Sequence, residues 1–312
     1  MRAFFREYLL WGTIIVVLLV LPAVATALGM GFYIDVVRRI MIFAIAAISL
    51  NLILGYGGLV SFGHAAYLGT GGYAVAILAF YGIHNGLAQW AVAIGASALV
   101  ALAIGAVSVR TSGIYFIMIT LAFTQMLYYL GISIEEYGGD DGIRLKMRSQ
   151  LPLLDLADPV QFYYLLLALM LGAAYLTHRI VSSRFGMALR AAKSNEARSR
   201  AIGFSPYPYR LAAFAIAGAM GGLAGALLAN QTSFVTPEYM HWTRSGEIMF
   251  MAILGGMGTS AGPVLGALAL LALEDALSQW TEHWQVILGP LLVLSVLFFK
   301  RGLAGLFQKP DA

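Results

Sequence analysis

Several apolar runs in this chain are about as long as the roughly 20 residues that a helix needs to cross a bilayer. Only 11% of the 312 residues are charged and 60% are hydrophobic, whereas a soluble domain carries roughly a quarter charged residues. Backbone polar groups cannot stay unpaired in hydrocarbon, so a spanning chain forms helices or a closed barrel. The short alternating runs of a barrel are absent from the sequence. The sequence therefore predicts an all-α integral membrane protein.

The apolar runs and their interruptions predict about ten transmembrane or half-membrane helices. Several of the runs are short for a helix that must traverse ~30 Å. No linker or low-complexity stretch divides them, so residues 1–312 are predicted to form a single transmembrane domain. The predicted helices are at residues 9–28, 40–54, 64–81, 88–109, 114–133, 161–181, 211–229, 248–255, 263–273 and 286–299.

The first apolar run allows two interpretations. It follows Arg2 and Arg6 and ends in small residues at 23–27, as a cleaved signal peptide does. A retained first transmembrane helix fits better with a chain that continues as a multi-pass membrane protein.

A basic, helix-forming segment interrupts the apolar field. Between Arg184 and Arg200 it carries five Lys or Arg residues and one acid, Glu196. Good helix formers from Met187 to Ile202 predict one helix of about four turns, which is too short to cross a membrane. Gly203 is predicted to end it. Its small-residue face, at three-and-four spacing, consists of Ala188, Ala191, Ala192, Asn195 and Ser199.

The distribution of charge predicts the orientation in the membrane. Placing the loop at residues 182–208 in the cytoplasm puts most of the 19 Lys and Arg residues on that side, as the positive-inside rule requires. Both termini are then cytoplasmic. Arg38 and Arg39 depart from this pattern, because they fall in the outer connection before the second predicted helix. The basic loop either fixes topology and touches anionic lipid, or docks a cytoplasmic partner.

Two glycine clusters interrupt apolar runs in opposite halves of the chain. Ile53-Leu54-Gly55 and Ile253-Leu254-Gly255 open them alike. Paired interruptions of this kind are typical of transporters with an internal, inverted repeat, although two independent packing kinks would give the same pattern. The break glycines are Gly55, Gly57 and Gly58 in the first cluster and Gly255, Gly256, Gly258 and Gly262 in the second.

Three polar residues near the first break are candidates for lining a transport pathway: Asn51, Ser61 and His64. Polar residues within apolar helices are costly and usually face a partner or a cavity. Asn51 could instead bond a backbone group freed by the break, and His64 could be a hydrogen-bonded histidine at a helix end.

Motifs for catalysis or cofactor binding are missing from the sequence. No G-x-x-x-x-G-K-[ST] motif is present for ATP, and the five histidines are scattered. There is no cysteine, and no nucleophile, base or metal ligands converge in the pattern. No acidic residue lies securely in the middle of a predicted span. We therefore expect no enzyme activity, no catalytic residue, no bound metal or cofactor and no nucleic-acid partner.

Five blocks of sequence, in order along the chain, resemble the LivM-type permeases of branched-chain amino acid ABC transporters. They include SLNLILGYGG followed by SFGHA, the GGDDG turn, and GGMGT followed by GP. The basic loop departs from the family pattern at Lys193-Ser194, where many relatives have Arg-Glu. The blocks lie within residues 49–65, 111–123, 138–142, 184–203 and 255–266.

The resemblance implies a permease subunit of an ABC importer in a bacterial cytoplasmic (inner) membrane. Its implied partners are a second related permease, two ATPase subunits that bind the ATP, and a periplasmic solute-binding protein, besides membrane lipid. The implied solute is a branched-chain amino acid, or else urea, a short amide or an aromatic acid. The residues that the resemblance assigns to ATPase coupling are Arg184, Phe185, Gly186, Arg190, Ala191, Asn195, Glu196, Ala201 and Gly203.

A different class of function also accounts for the paired glycine breaks. A stand-alone secondary carrier or facilitator for a small neutral solute would use such breaks, but it would have no need of a docking helix.

Overall fold

The structure, a computed structural model, describes residues 2–152, 154–281, 283–298 and 302–305. Most of these residues are helical, as expected for a chain composed largely of long apolar runs. They are α1 Arg2–Ala27, α2 Gly31–Asn51, α3 His64–Phe80, α4 Gly86–Ser108, α5 Ile114–Ser133, α6 Pro159–Ser182, α7 Arg184–Ser194, α8 Glu196–Ala201, α9 Pro206–Thr232, α10 Trp242–Gly255, α11 Gly262–Ser278, α12 Trp284–Phe298 and α13 Gly302–Gly305.

Six helices in the described part of the chain are long and apolar enough to span a membrane. They are α1, α2 with its extension to Tyr56, α4, α5, α6 and α9. The remaining four predicted segments correspond to the shorter helices α3, α10, α11 and α12. The prediction of an all-α membrane protein with short, glycine-broken helices is confirmed. Position 299, at the end of the last predicted segment, lies outside the described residues.

Helix α2 forms the centre of the bundle and contacts α6, α9, α10 and α11. Its start was predicted wrongly at residue 40, because Arg38 and Arg39 looked like loop charges. The helix begins at Gly31 and contains both arginines. Arg38 is buried and paired with Asp35, and Arg39 pairs with Glu274 of α11 at 3.1 Å. Both arginines that depart from the loop-charge pattern are therefore ion-paired residues of a helix.

Small residues let α9 pack closely against α3 and α4, the helices that it contacts most extensively. A Cβ at Gly225 would collide with the backbone of Leu68, and one at Gly222 would collide with Ser97. Close helix approach at small residues is the usual way in which membrane helices associate.

A short antiparallel strand pair closes one end of the bundle. Strands β1 (Ile143–Arg144) and β2 (Phe234–Val235) pair Ile143 with Val235 and Arg144 with Phe234. Strand β2 follows the last residue of α9, whereas α8 precedes the first. The basic segment and the strand pair therefore lie at opposite ends of α9, a helix of 27 residues.

Candidate functional site

The first glycine cluster breaks the chain between α2 and α3. Helix α2 continues into a π-helical turn, Leu52–Tyr56, and residues 57–63 are not helical. Gly58 has a φ of 71°, a conformation that L-residues with a side chain rarely adopt. The Leu59 N–H donates to the Ile53 carbonyl at 2.9 Å and closes the turn. The predicted break is therefore present.

Hydroxyl groups from two other helices satisfy the backbone that this break leaves unpaired. The Phe62 N–H donates to Thr120 Oγ1 at 3.2 Å. The hydroxyls of Thr124 and Ser245 donate to the Phe62 carbonyl at 3.0 and 2.7 Å. An irregular segment at membrane depth needs such partners. Sequence reasoning missed Thr124 and Ser245, although a hydroxyl residue inside an apolar helix is a signal for such a role.

The second glycine cluster separates α10 from α11 and has its own internal hydrogen bonds. Gly256 and Gly258 have φ values of 119° and 75°. Thr259 Oγ1 donates to the Gly256 carbonyl at 2.8 Å and accepts from the Gly262 N–H at 3.1 Å. This turn brings α10 and α11 so close that a Cβ at Gly255 would collide with the Gly262 carbonyl.

Asn51 joins the two breaks. Its Oδ1 accepts from the Gly258 N–H at 2.8 Å, and its Nδ2 donates to the Thr259 carbonyl at 3.0 Å. Gly55 lies against the same turn, because a Cβ there would collide with the Gly258 nitrogen. Two segments from opposite halves of the chain thus form one hydrogen-bonded unit.

The arrangement of the breaks bears on the predicted inverted repeat. Helix α2 ends beside the second break, through Asn51, and α10 ends in that break. Arg39 of α2 and Arg244 of α10 line one cavity nearer the starts of their helices. The two helices therefore run in the same direction, whereas an inverted pair would run oppositely. This pair of breaks does not support an inverted repeat.

All three pathway candidates are buried in this conformation, with exposures of 2% or less. Asn51 bonds the second break, and Ser61 Oγ accepts from the Gly63 N–H at 3.0 Å. His64 begins α3, and its Nε2 lies 3.1 Å from Ser49 Oγ. These contacts stabilise the junction of the breaks, and a role in lining a pathway stays a prediction.

The basic segment forms two helices, so the prediction of a single helix over residues 187–202 was wrong. Asn195 is extended, with φ −161° and ψ 104°, and separates α7 from α8. Its Oδ1 accepts from the Arg198 N–H at 2.8 Å and caps α8. Asparagine competes with helix through such local bonds, which favours a cap over a helix interior. Gly203, with a φ of 81°, ends the segment as predicted.

One side of the basic segment packs on the bundle and the other is free. Leu189, Ala192 and Ser199 are buried, whereas Met187 and Ile202 are 54% and 78% exposed. The predicted small-residue face is therefore divided, because two of its members are covered by this chain and Ala191 is exposed. The exposed side is basic and carries the apolar side chains of Met187 and Ile202 near its two ends. The other exposed residues of the segment include Arg184, Arg190, Arg198, Arg200 and Ala201.

Glu196 ties this segment to α9. Its carboxylate accepts from Arg200 at 2.5 Å and from Arg210 at 2.7 Å. Burial alone would raise the pKa of the Glu196 carboxyl, but the hydrogen bonds and positive charges of Arg210 and Arg200 lower that pKa below its ordinary value. Arg210 also donates to the Ala192 carbonyl at 3.3 Å. The acid is thus ionised at neutral pH and holds α8 against α9.

The corner between α6 and α7 brings together the other residues assigned to coupling. A Cβ at Gly186 would collide with the Val181 carbonyl, so only glycine fits this close approach. Arg190 donates to the Gly186 and Val181 carbonyls at 3.4 Å. The Phe185 ring lies 5.7 Å from that of Tyr209 at the start of α9.

Lys193 connects the basic segment directly to the first break. Its Nζ donates to the Gly55 carbonyl at 2.5 Å. A Cβ at Gly58 would lie 2.8 Å from Lys193 Cγ, so the lysine stem also rests on the break. Sequence reasoning noted Lys193 only as a departure from the family loop and missed this contact. Contacts therefore run from α7 through Gly55 to Asn51 and the second break.

Charged side chains line the end of the bundle away from the basic segment, where the sequence placed Glu274 and Asp275 close to the outer surface. Arg244 pairs with Glu247 of α10 at 2.8 Å, and Arg39 pairs with Glu274 at 3.1 Å. The acidic partner lies one turn away on the same helix for Arg244 and on another helix for Arg39. The apolar runs in the sequence do not indicate such pairs. A cavity beside these pairs is lined by α2, α3, α9, α10 and α11.

Curated relatives share sequence with most of this chain. LivM, the high-affinity branched-chain amino acid transport system permease protein of Escherichia coli (strain K12), is 28% identical over an alignment covering 86% of this chain and 69% of LivM. LivM of Salmonella typhimurium gives the same values. The autoinducer 2 import system permease protein LsrC of Yersinia pestis (strain Pestoides F) is 27% identical, over 66% of this chain and 62% of LsrC. No solved structure matches the chain significantly.

A family model described as the permease component of branched-chain amino acid transport systems matches residues 32–296. The match includes both glycine breaks and the whole basic segment. Together with the apolar helices, it identifies a multi-pass membrane protein of the transport class. The chain belongs to the family of branched-chain amino acid transport system permease components.

Proposed function

We propose that this chain is the membrane-spanning subunit of an ATP-driven importer for branched-chain amino acids. It would pair with a second, related permease in the bacterial inner membrane, with both of its termini in the cytoplasm. Two ATPase subunits would supply the energy and a periplasmic solute-binding protein would deliver the solute. The names of the LivM relatives support the solute class, and the absence of a P-loop motif from the sequence is consistent with ATP binding on another chain.

One observation carries this proposal: the exposed basic segment is bonded to the glycine breaks. Its outer side offers Met187, Ile202 and positive charge to a partner. Lys193 is exposed, but its ammonium group reaches the bundle and donates to the Gly55 carbonyl, and Asn51 links that break to the next. A partner that moves α7 and α8 would therefore shift the ends of α2 and α10 together. Alternating access needs such an element with two arrangements.

Docking is tested by co-purifying the detergent-solubilised chain with the ATPase subunits of its transport system. We expect Arg198→Glu and Ile202→Glu to abolish the association, because both residues are exposed on the free side of the segment. Arg179→Glu is the matched control, because Arg179 is an exposed arginine on α6 outside the basic segment. It should leave the association intact. Equal binding by all variants would contradict docking, and no association even of the wild type would favour the stand-alone carrier.

Transmission is tested separately with Lys193→Met in the reconstituted importer. A hydrogen bond to a charged group contributes about 1.5–3 kcal/mol, and 1.4 kcal/mol is about tenfold in an equilibrium. We expect ATPase association to persist while ATP-driven uptake falls about tenfold. Lys193→Arg keeps a donor and should restore most of the uptake. Unchanged uptake in Lys193→Met would contradict a role for this contact.

A further inference from the structure

A cavity of about 420 Å³ opens between α2, α3, α9, α10 and α11. That volume is within the roughly 300–1,000 Å³ of small-molecule sites. Thr232, the last residue of α9, lines the cavity, so the cavity lies at the end of the bundle away from the basic segment. Arg39 and Gly55 are 16 residues apart along α2 and its extension, which is about 24 Å at 1.5 Å per residue.

The deeper wall of the cavity is apolar. Phe43 of α2, Leu68 of α3 and Leu228 of α9 contribute side chains to it. Phe43 lies about one turn after Arg39 in α2, and Leu228 lies about one turn before Thr232 in α9. An apolar wall of this kind binds a hydrocarbon side chain by removing it from water.

The mouth of the cavity carries both signs of charge. Arg39 and Arg244 supply guanidinium groups, each held by one carboxylate, Glu274 or Glu247. Arginine presents several donors, so each guanidinium retains capacity for a second anion. Asp275 supplies a carboxylate that forms no ion pair with the described residues.

An amide oxygen adds a buried acceptor to the lining of the same cavity. Gln231 Oε1 is buried and has no hydrogen-bond partner among the described residues. A buried acceptor without a partner costs free energy unless a ligand or water satisfies it. It lies in the same cavity as the unpaired Asp275 carboxylate, so the two offer a place for an ammonium group.

We infer that this cavity is a solute-binding site for a zwitterionic α-amino acid with an apolar side chain. The carboxylate of the solute binds Arg39 and Arg244, and its ammonium group binds Asp275 and Gln231 Oε1. The hydrocarbon side chain packs on Phe43, Leu68 and Leu228. The inference rests on the proposed transport function and adds to it the site at which this subunit receives solute on the side opposite the ATPase-docking segment.

Equilibrium binding of radiolabelled L-leucine to the full chain in lipid nanodiscs tests the site. We expect saturable binding that Arg244→Gln and Asp275→Asn each weaken about tenfold, because each removes one charged hydrogen-bonding partner of the solute. Asp141→Asn, an exposed acid at the same end of the bundle, is the control and should bind as the wild type does. Thermal unfolding of each variant shows whether it is folded.

Competition separates the chemical requirements of the site. 4-Methylpentanoate lacks the ammonium group and 3-methylbutylamine lacks the carboxylate, so each should compete at least about tenfold more weakly than leucine. Absence of saturable leucine binding to the folded wild type would overturn the inference. Binding that neither substitution weakens, or equal competition by urea or acetamide, would overturn it as well.

Failure of the proposed solute site can be distinguished from failure of the proposed transport function. ATPase association without leucine binding would overturn this site and leave the importer subunit standing. Leucine binding at the site without ATPase association would retain the site and contradict the ATP-driven importer.

Discussion

Single residues connect segments that are far apart in the sequence. Asn51 bonds backbone groups 207 and 208 positions away, and Lys193 bonds a carbonyl 138 positions away. The sequence marked Asn51 as a polar residue in an apolar run, which indicates a partner or a cavity but not which of the two. Lys193 lies in a basic loop, and its local sequence does not distinguish it from the arginines of that loop. Contacts of this kind depend on how helices pack, so local pattern could not predict them.

Replacing Asn51 should weaken both the fold and transport. Asn51→Ala leaves the partly buried Gly258 N–H and Thr259 carbonyl without their partner, at a cost of up to about 1–3 kcal/mol for each group. We expect a lower midpoint of thermal unfolding and less ATP-driven uptake per folded protein.

The matched control is Asn85→Ala at the N-terminal cap of α4, where Asn85 accepts from two backbone N–H groups. Losing this cap costs about 0.5–2 kcal/mol, so it should lower the midpoint but leave uptake per folded protein unchanged. Equal uptake defects in both variants would show that Asn51 acts only through stability.

Helix boundaries were predicted well where apolar runs and glycines determine them. They were predicted less well where side-chain hydrogen bonds and ion pairs determine them. The breaks after Gly55 and Gly255 follow from glycine clusters in apolar runs. The predicted start of α2 was displaced because Arg38 and Arg39 are helix residues that pair with Asp35 and Glu274. Propensity alone also favoured one basic helix, but the cap formed by Asn195 divides it.

Glycines at helix crossings should differ sharply from glycines that face open space. Gly255→Ala would force α10 away from Gly262 of α11, and overpacking of this kind costs about 1–3 kcal/mol. Gly95→Ala in α4 meets nothing within 4 Å, and alanine favours the helix by up to about 1 kcal/mol. Thermal unfolding in detergent should therefore show a loss for the first and no loss for the second. Equal midpoints would contradict the tight α10–α11 crossing.

The whole molecule places its two proposed functional regions at opposite ends. The basic segment, the proposed docking element, lies beside the start of α9, and the proposed solute cavity lies beside its end. Helix α2 runs between them, from Arg39 at the cavity to Gly55 at the Lys193 contact. Solute and ATPase could therefore act on the same helices from opposite sides of the membrane.

Labelling with a membrane-impermeant maleimide tests this orientation, because the chain contains no cysteine of its own. Ile202→Cys should react only in inside-out vesicles, since it lies on the docking segment. Asp141→Cys, next to the strand pair, should react only in right-side-out vesicles. Both positions are exposed, and the reverse pattern would place the docking segment outside the cell.

The most direct test of the account is a distance measurement between the docking segment and the second break. Spin labels on Ser194→Cys at the end of α7 and Met257→Cys in the second break, both at exposed positions, report the separation by pulsed electron spin resonance in the assembled importer. If ATPase movement is transmitted to the breaks, the distance distribution should change between the nucleotide-free and ATP-bound states. Adding Lys193→Met should remove that change. One identical distribution in both states of an importer that still transports solute would contradict the account.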